Sequence, residues 1–317
     1  MALKKTKKIV VTGGGTGVFS VLSGLKNSPV ELTAIVTMAD DGGSTGILRE
    51  EFGILPPGDI RRALLALSHS DNKIIAELLN YRFLEGAGLA GHNFGNLMLT
   101  ALHRLTGSFE GAIREAAKIL HVRGHVVPVT LQSPRLFAEL EDGTIIKGET
   151  NIDIPHHDGR LRIKRVWLSP EPRLNPVARR ALLEADAVII GPGDLYTSIM
   201  PNLLVSGFRD ALESSKATKI YVANVMTKFG ETNNFRIEDF LSVIHGVLGR
   251  DSLDYVLVNT KRPNLSRLKR YAEEKAMFVT WGHLSQNPTP IFGDFLRRQG
   301  FLRHDPDKVA RAILSLI

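Results

Sequence analysis

The chemistry this chain can do is concentrated in six short stretches rich in glycine, acids and hydroxyls. The first is Gly13-Gly14-Gly15-Thr16-Gly17, directly after a β-branched run at residues 8–12. Glycines at such a turn let a phosphate reach the backbone, where N–H groups and the helix dipole bind anions. A dinucleotide fingerprint is not completed, because its third glycine would fall on Val18 or Ser20. A P-loop is not completed either, since no Gly-Lys-Ser/Thr follows. The second stretch is Asp40-Asp41-Gly42-Gly43-Ser44-Thr45-Gly46. Two adjacent carboxylates can hold a divalent metal, deprotonate an acceptor hydroxyl or bond a sugar. In a dinucleotide enzyme an acid at that strand end would hold ribose hydroxyls. The glycines after the pair form a second anion nest. The plainer alternative is an acidic turn that caps a helix through Ser44.

Third comes Pro56-Pro57-Gly58-Asp59-Ile60-Arg61-Arg62, a helix start with Asp59 as its N-cap. Its arginines can instead reach a bound phosphate. Fourth, Gly91-His92-Asn93-Phe94-Gly95-Asn96 opens another helix with three polar side chains, of which the histidine also suits a structural hydrogen bond. Fifth, Gly191-Pro192-Gly193-Asp194-Leu195-Tyr196-Thr197-Ser198 follows an apolar strand and repeats the strand-end design. Sixth, Asn224-Val225-Met226-Thr227 ends a further strand, with Glu231 and Thr232 just beyond. His121 and His125 are four apart, but Gly124 interrupts them. His156 and His157 occupy a turn-like stretch facing solvent. Arg297, Arg298 and Arg303 read as surface charge or, for Arg303, as a nucleotide contact. No Gly-x-Ser-x-Gly elbow supports a serine hydrolase.

The elements that must carry these stretches alternate between strand and helix. Residues 8–12 and 31–37 read as strands, and 18–25 as a helix between them. From 59 to 120 the chain reads as nearly all helical. Residues 126–130, 135–141, 145–150 and 160–168 read as strands, with Asp142-Gly143 as a hairpin turn. Continuous apolar runs at 187–190, 219–223 and 255–258 suit buried parallel strands. Helices fit at 202–213, 237–248 and 264–274. This pattern predicts an α/β fold: a Rossmann-like, doubly wound, mainly parallel sheet with a helical insertion. A small β excursion is expected at 126–168, within one domain spanning 1–317.

Composition narrows the function classes. The hydrophobic fraction of 43% and charged fraction of 23% place the chain among globular proteins rather than disordered ones. With no cysteine, a thiol nucleophile, a disulfide framework and a thiolate metal site are excluded. That composition suits a reducing cytoplasm. No apolar run reaches membrane-spanning length, and the basic start lacks the apolar core of a signal peptide. The net charge of +7 fits small anionic ligands better than nucleic acid. Its densest cluster, Lys4, Lys5, Lys7 and Lys8, has no stacking aromatic beside it and reads as a solvated tail.

In order along the chain, GGGTG, ADDGGSTG, PPGDIRRAL, GHNFGN, DAVIIGPGDLYTSIMPNLL and ANVMT resemble the bacterial gluconeogenesis-factor (YvcK-like) family, within the CofD-like superfamily. The resemblance spans about residues 8–260. It implies a cytoplasmic protein needed for cell shape and for growth on gluconeogenic carbon sources, with UDP-N-acetylglucosamine as ligand. It also implies relatives that transfer 2-phospho-lactate from a nucleotide diphosphate donor to a deazaflavin. By the same resemblance, Gly13 to Gly17 match the first nucleotide loop, and Asp40 and Asp41 an acidic pair beside donor and acceptor. Asn96 and the Gly191–Ser198 stretch match further nucleotide-facing segments. In the transferase pattern bulky residues follow the acidic pair, whereas here Gly42-Gly43-Ser44-Thr45-Gly46 follows. The expectation is therefore a nucleotide-sugar-binding regulator rather than an enzyme. A phosphotransferase using Asp40 and Asp41, with magnesium, is the first alternative, and an NAD-binding protein the second. A homodimer is the default assembly.

Overall fold

The computed structural model describes residues 6–69 and 73–317, so Lys4 and Lys5 lie outside the described residues, as do positions 70–72 of the helical stretch. The chain begins β1 (Lys7–Gly13), α1 (Gly15–Leu25), β2 (Val30–Val36) and α2 (Gly43–Phe52). Four helices follow: α3 (Gly58–Leu67), α4 (Lys73–Asn80), α5 (Phe94–Thr106) and α6 (Phe109–Ile119). Then come β3 (His125–Pro128), β4 (Arg135–Leu140), β5 (Ile145–Lys147), α7 (Glu149–Asp153) and β6 (Ile163–Ser169). Next are α8 (Pro176–Glu184), β7 (Ala187–Ile190), a π-helical turn (Leu195–Ile199), α9 (Met200–Leu203), α10 (Phe208–Ser214) and β8 (Thr218–Val222). The last elements are α11 (Ile237–Leu248), β9 (Tyr255–Asn259), α12 (Leu265–Glu273), β10 (Thr289–Gly293) and α13 (Pro306–Leu314).

Seven strands form one parallel sheet in the order β10-β9-β8-β7-β1-β2-β3. Alternation along β1 explains its two covered faces: Ile9 and Val11 face one layer, Val10 the other. The first layer holds α1, α3, α6 and α13; the second holds α8 to α11 and the inner face of a small sheet, β5-β4-β6. Buried on both faces, the strands need apolar residues at every position, which is why they read as continuous runs. In α1, Val18, Val21, Leu22 and Leu25 make the buried stripe of a surface helix. The expected doubly wound α/β sheet is present. Its winding reverses between β1 and β7, and a crevice opens beyond the C-terminal strand ends at such a point.

Local expectations need correcting in several places. Residues 125–128 pair with β2 in parallel and extend the main sheet, so the small antiparallel sheet holds only β4, β5 and β6. The strand expected over 145–150 stops at Lys147, because Gly148 turns the chain at φ +97° into α7. The strand expected over 160–168 begins at Ile163, after a turn in which Asp158 accepts from the Arg160 N–H. The helix expected over 202–213 breaks at Ser206 and Gly207. There Ser206 exchanges backbone hydrogen bonds with Pro172 and Leu174. The helical stretch 59–120 is interrupted between α4 and α5, where Phe83 and Phe94 donate to the His92 and Tyr81 carbonyls. The seventh strand, β10, was not expected; Pro290 removes one donor, which an edge position tolerates.

A tight helix contact in the first layer gives a test. A Cβ at Gly24 on α1 would lie 2.1 Å from the Pro306 carbonyl oxygen at the start of α13. Gly24→Ala is expected to destabilise the protein by about 1–3 kcal/mol through overpacking. Urea unfolding measures this, and unchanged stability would contradict the packing of α13 on α1.

Candidate functional site

The crevice at the reversal is floored by the loops after β1, β2, β7 and β8. Gly15 opens α1 at φ +64°, a conformation that favours glycine. At Gly17 the constraint is space, since a Cβ would stand 2.0 Å from the Pro192 carbonyl oxygen. First-turn N–H groups have no partner inside their own helix. One of them, Gly15 N–H, donates to Asp59 Oδ1 at 3.0 Å. A carboxylate from α3 thus sits at the N-terminus of α1, where the dipole favours negative charge. Asp59 is not the N-cap of α3, a position Pro57 takes; it lies one residue inside the helix and reaches across to α1.

Two compartments share this floor. The smaller, of about 440 Å³, is bounded by Gly15, Thr16, Asp40, Gly42, Gly43, Ser44, Asp59, Arg61, Arg62, Asn96, Glu149, Thr197 and Ser198, among others. Asp40 Oδ1 accepts from Gly42 N–H at 2.9 Å. Burial pushes the Asp40 carboxyl up to about 6, and the Asp59 charge beside it adds to the shift. Burial raises Asp59 as well, against the opposing charge of Arg62. Glu149 is pushed up to about 9, first by burial and then by Asp40 and Asp153. Asp41 turns away from its neighbour. Its Oδ1 accepts from Thr150 N–H at 2.9 Å, and its Oδ2 lies 3.9 Å from Arg135 Nη1. The adjacent acids therefore do not form a pair; Asp40 faces Asp59 instead.

The residues behind this compartment brace it. Ser44 does not cap α2, whose N-cap is Gly42. Its hydroxyl shares a hydrogen bond with His92 Nδ1 at 3.3 Å and accepts from Asn93 N–H at 3.1 Å. Asn93 caps α5 by accepting from Asn96 N–H. Arg61 is buried: Nε donates to Asn96 Oδ1 at 3.1 Å, and Nη1 to Leu79 O and Asn80 Oδ1. Arg62 is the more exposed guanidinium on the same wall and pairs with Asp59 at 3.5 Å.

The larger compartment, of about 640 Å³, is bounded by Gly14, Gly15, Thr16, Gly17, Pro192, Gly193, Asp194, Asn224, Met226, Thr227, Lys228, Tyr271 and Arg303, among others. Asn224 Nδ2 donates to Gly193 O at 2.8 Å and ties the β8 loop to the β7 loop. Thr227 Oγ1 accepts from Met277 N–H at 2.8 Å. Arg303 is exposed, with its guanidinium 5.1 Å from the Phe301 ring centre. Six expected residues line neither compartment: Gly13, Asp41, His92, Asn93, Gly191 and Tyr196. Tyr196 is buried, donates its N–H to Glu231 Oε2 at 3.1 Å, and has its phenol pushed up to about 12 by burial. His125 starts β3 at the opposite end of the sheet, and His156 is exposed, so neither joins the site. Glu149, Asp153, Lys228 and Tyr271 were not anticipated from sequence. The i,i+4 spacing of Glu149 and Asp153 after a glycine was the available signal for α7.

Residues 9–289 match the CofD family, described as 2-phospho-L-lactate transferase. Gluconeogenesis factors of Listeria innocua and Halalkalibacterium halodurans are each 43% identical. They match over 99% and 98% of this chain and 97% of their own length. A longer relative from Nostoc sp. is 46% identical over 99% of this chain and 69% of its own. A crystal structure of a UPF0052-family protein from Bacillus halodurans superposes with a TM-score of 0.92 at 42% identity, covering 98% of this chain and all of that one. The chain belongs to the CofD-like gluconeogenesis-factor family. Membership fits the six ordered motifs, four of which supply loops of this crevice.

Within this family member, the protonation of Glu149 can be read from stability. An acid whose folded pKa lies above its unfolded value holds its proton longer when folded, so stability falls as pH rises between the two. For Glu149 that window runs from the usual 4.5 to about 9. Glu149→Gln has no proton to lose, so its melting temperature relative to wild type should rise steadily across the window. A difference that stays flat with pH would place Glu149 in open water.

Proposed function

We propose that this protein is a cytoplasmic regulator that binds UDP-N-acetylglucosamine, acting in cell-shape control and in growth on gluconeogenic carbon sources. The observation that carries this reading is the joining of two unlike compartments at the N-terminus of α1. The larger offers aromatic, amide and guanidinium groups through Tyr271, Asn224 and Arg303. These suit a base, a ribose and a diphosphate. The smaller offers Asp40, Asp59 and Glu149, acceptors and proton-bearing carboxyls that suit sugar hydroxyls. Among the described residues no helix is long and apolar enough to cross a membrane, in keeping with a cytoplasmic location. A homodimer is proposed as the assembly, closed pairs being the commonest.

The second reading is a phosphotransferase, favoured by the facing Asp40 and Asp59 and by the transferase described for the family. Asp40 would then take the proton of an acceptor hydroxyl, and magnesium would be held on the same acidic side. The residues after Asp41 weigh against a deazaflavin acceptor, since Gly42-Gly43-Ser44 leads straight into α2.

Thermal unfolding separates the readings. At ligand about 100-fold above its dissociation constant, mass action adds roughly 2.7 kcal/mol. At about 2–4 °C per kcal/mol, UDP-N-acetylglucosamine should raise the melting temperature by several degrees. After prolonged incubation with magnesium, mass spectrometry should recover the ligand unchanged. Multiple turnovers to UMP, UDP or a transferred sugar phosphate would establish the enzyme instead. A shift with NAD and none with the sugar nucleotide would overturn both readings.

A further inference from the structure

Lys228 lines the larger compartment, beside Asp153 and Asp194, which border both. Its ammonium donates to Asp153 Oδ1, donates to Asp194 Oδ2 at 2.8 Å, and lies 3.2 Å from Glu231 Oε1. The three acids come from separate excursions of the chain: the end of α7, the loop after β7 and the loop after β8. Among the described residues, this is the one cluster whose carboxylate oxygens have the mutual spacing, within 4.8 Å, that a metal ion requires. A protonated lysine has three N–H donors, and here three carboxylates meet them. Burial works to lower the lysine, but Glu231, Asp194 and Asp153 together raise it above its ordinary range. It therefore stays charged throughout the pH range in which the protein would work.

We propose that Lys228 is a permanent internal cation, filling the place of a divalent ion in this cluster and positioning Asp194 and Asp153 at the boundary of the two compartments. A bound metal leaves when its concentration falls; a covalently attached ammonium does not. The wall is thereby fixed by the chain itself. Glu231 passes this fixing on. It accepts from Tyr196 N–H and from Thr197 Oγ1, both at 3.1 Å, and so holds the turn that presents Thr197 and Ser198 to the smaller compartment. The compartments keep the meaning given them by the proposed function, but the inference itself concerns the cluster alone. Its test contains no nucleotide, so it fails or succeeds independently of the ligand assigned above.

The experiment titrates Mn²⁺ alone into the full chain, followed by electron paramagnetic resonance and thermal unfolding. Wild type is compared with Lys228→Met, Asp194→Asn and the double variant. Methionine keeps much of the stem and removes the charge, leaving the acids uncompensated. Lys228→Met should melt below wild type without metal, gain a saturable Mn²⁺ site, and recover stability when that site fills. The double variant should lack the site. Wild type and Asp194→Asn should bind Mn²⁺ alike. Weaker binding in Asp194→Asn than in wild type would mean that metal displaces the lysine, and would overturn the proposal. A folded Lys228→Met with no new site would overturn it too. If Lys228→Met does not fold, reductive methylation of wild type decides. Lys228 should react on the order of tenfold more slowly than exposed Lys269, since it must first leave its acids by local opening. Equal rates would refute the fixed cation.

Discussion

At Gly17 the first turn of α1 presses against the loop after β7 so closely that no side chain fits between them. β1 and β7 are neighbours in the sheet, and its winding reverses between them. Helices on the two sides therefore diverge, and a gap must open above the strand ends. The contact at Gly17 limits that gap to one side of α1. It brings Pro192, Gly193 and Asp194 beside Gly14 and Gly15, so one helix N-terminus serves both compartments. Asp59 then fills the nearest donor of that terminus with a carboxylate of the protein's own.

The charge in the crevice is arranged unevenly. Asp40, Asp59 and Glu149 crowd one side, yet the buried Arg61 gives its Nε and Nη1 to Asn96, Leu79 and Asn80. Burial draws even this guanidinium down to about 10. Burial favours the protonated form of all three acids, and for Asp40 and Glu149 neighbouring carboxylates add to it. Arg61, Arg62 and Arg82 border the same compartment, so its wall sets guanidinium donors beside carboxyl groups. The larger compartment also mixes charges, with Asn224, Lys228 and Arg303 beside Asp153, Asp194 and Glu274.

The main sheet was legible because burial on both faces leaves a mark at every residue of a strand, as in AVII at Ala187–Ile190. The strand-end loops were legible because turns and close approaches call for glycine, as at Gly15 and Gly17. Side-chain direction within a loop leaves no such mark. Nothing local distinguishes Asp40 from Asp41; the tertiary positions of Thr150 and Arg135 draw Asp41 away. Lys228 was silent for a related reason, since two of its partners, Asp153 and Asp194, are 75 and 34 residues distant. Glu149 was hidden by a strand-like run that ends at Gly148, where a single left-handed residue starts a helix. The edge strand β10 was masked by Pro290 within it.

The three-stranded antiparallel sheet bears on how such a crevice could diversify. It leaves the parallel sheet after β3 and returns before α8, and its excursion carries α7 with Glu149 and Asp153 into the wall. Asp41 grips α7 at Thr150, which joins this excursion to the loop after β2. The segment is thus one insertion between β3 and α8, seated on the second layer through Leu136, Ala138, Val166 and Leu168. A hairpin of different length between β4 and β6 would present another helix to the same crevice while the seven parallel strands kept their register. Ligand preference among descendants of this architecture could then drift through one graft, with the glycine turns and their helix terminus inherited unchanged.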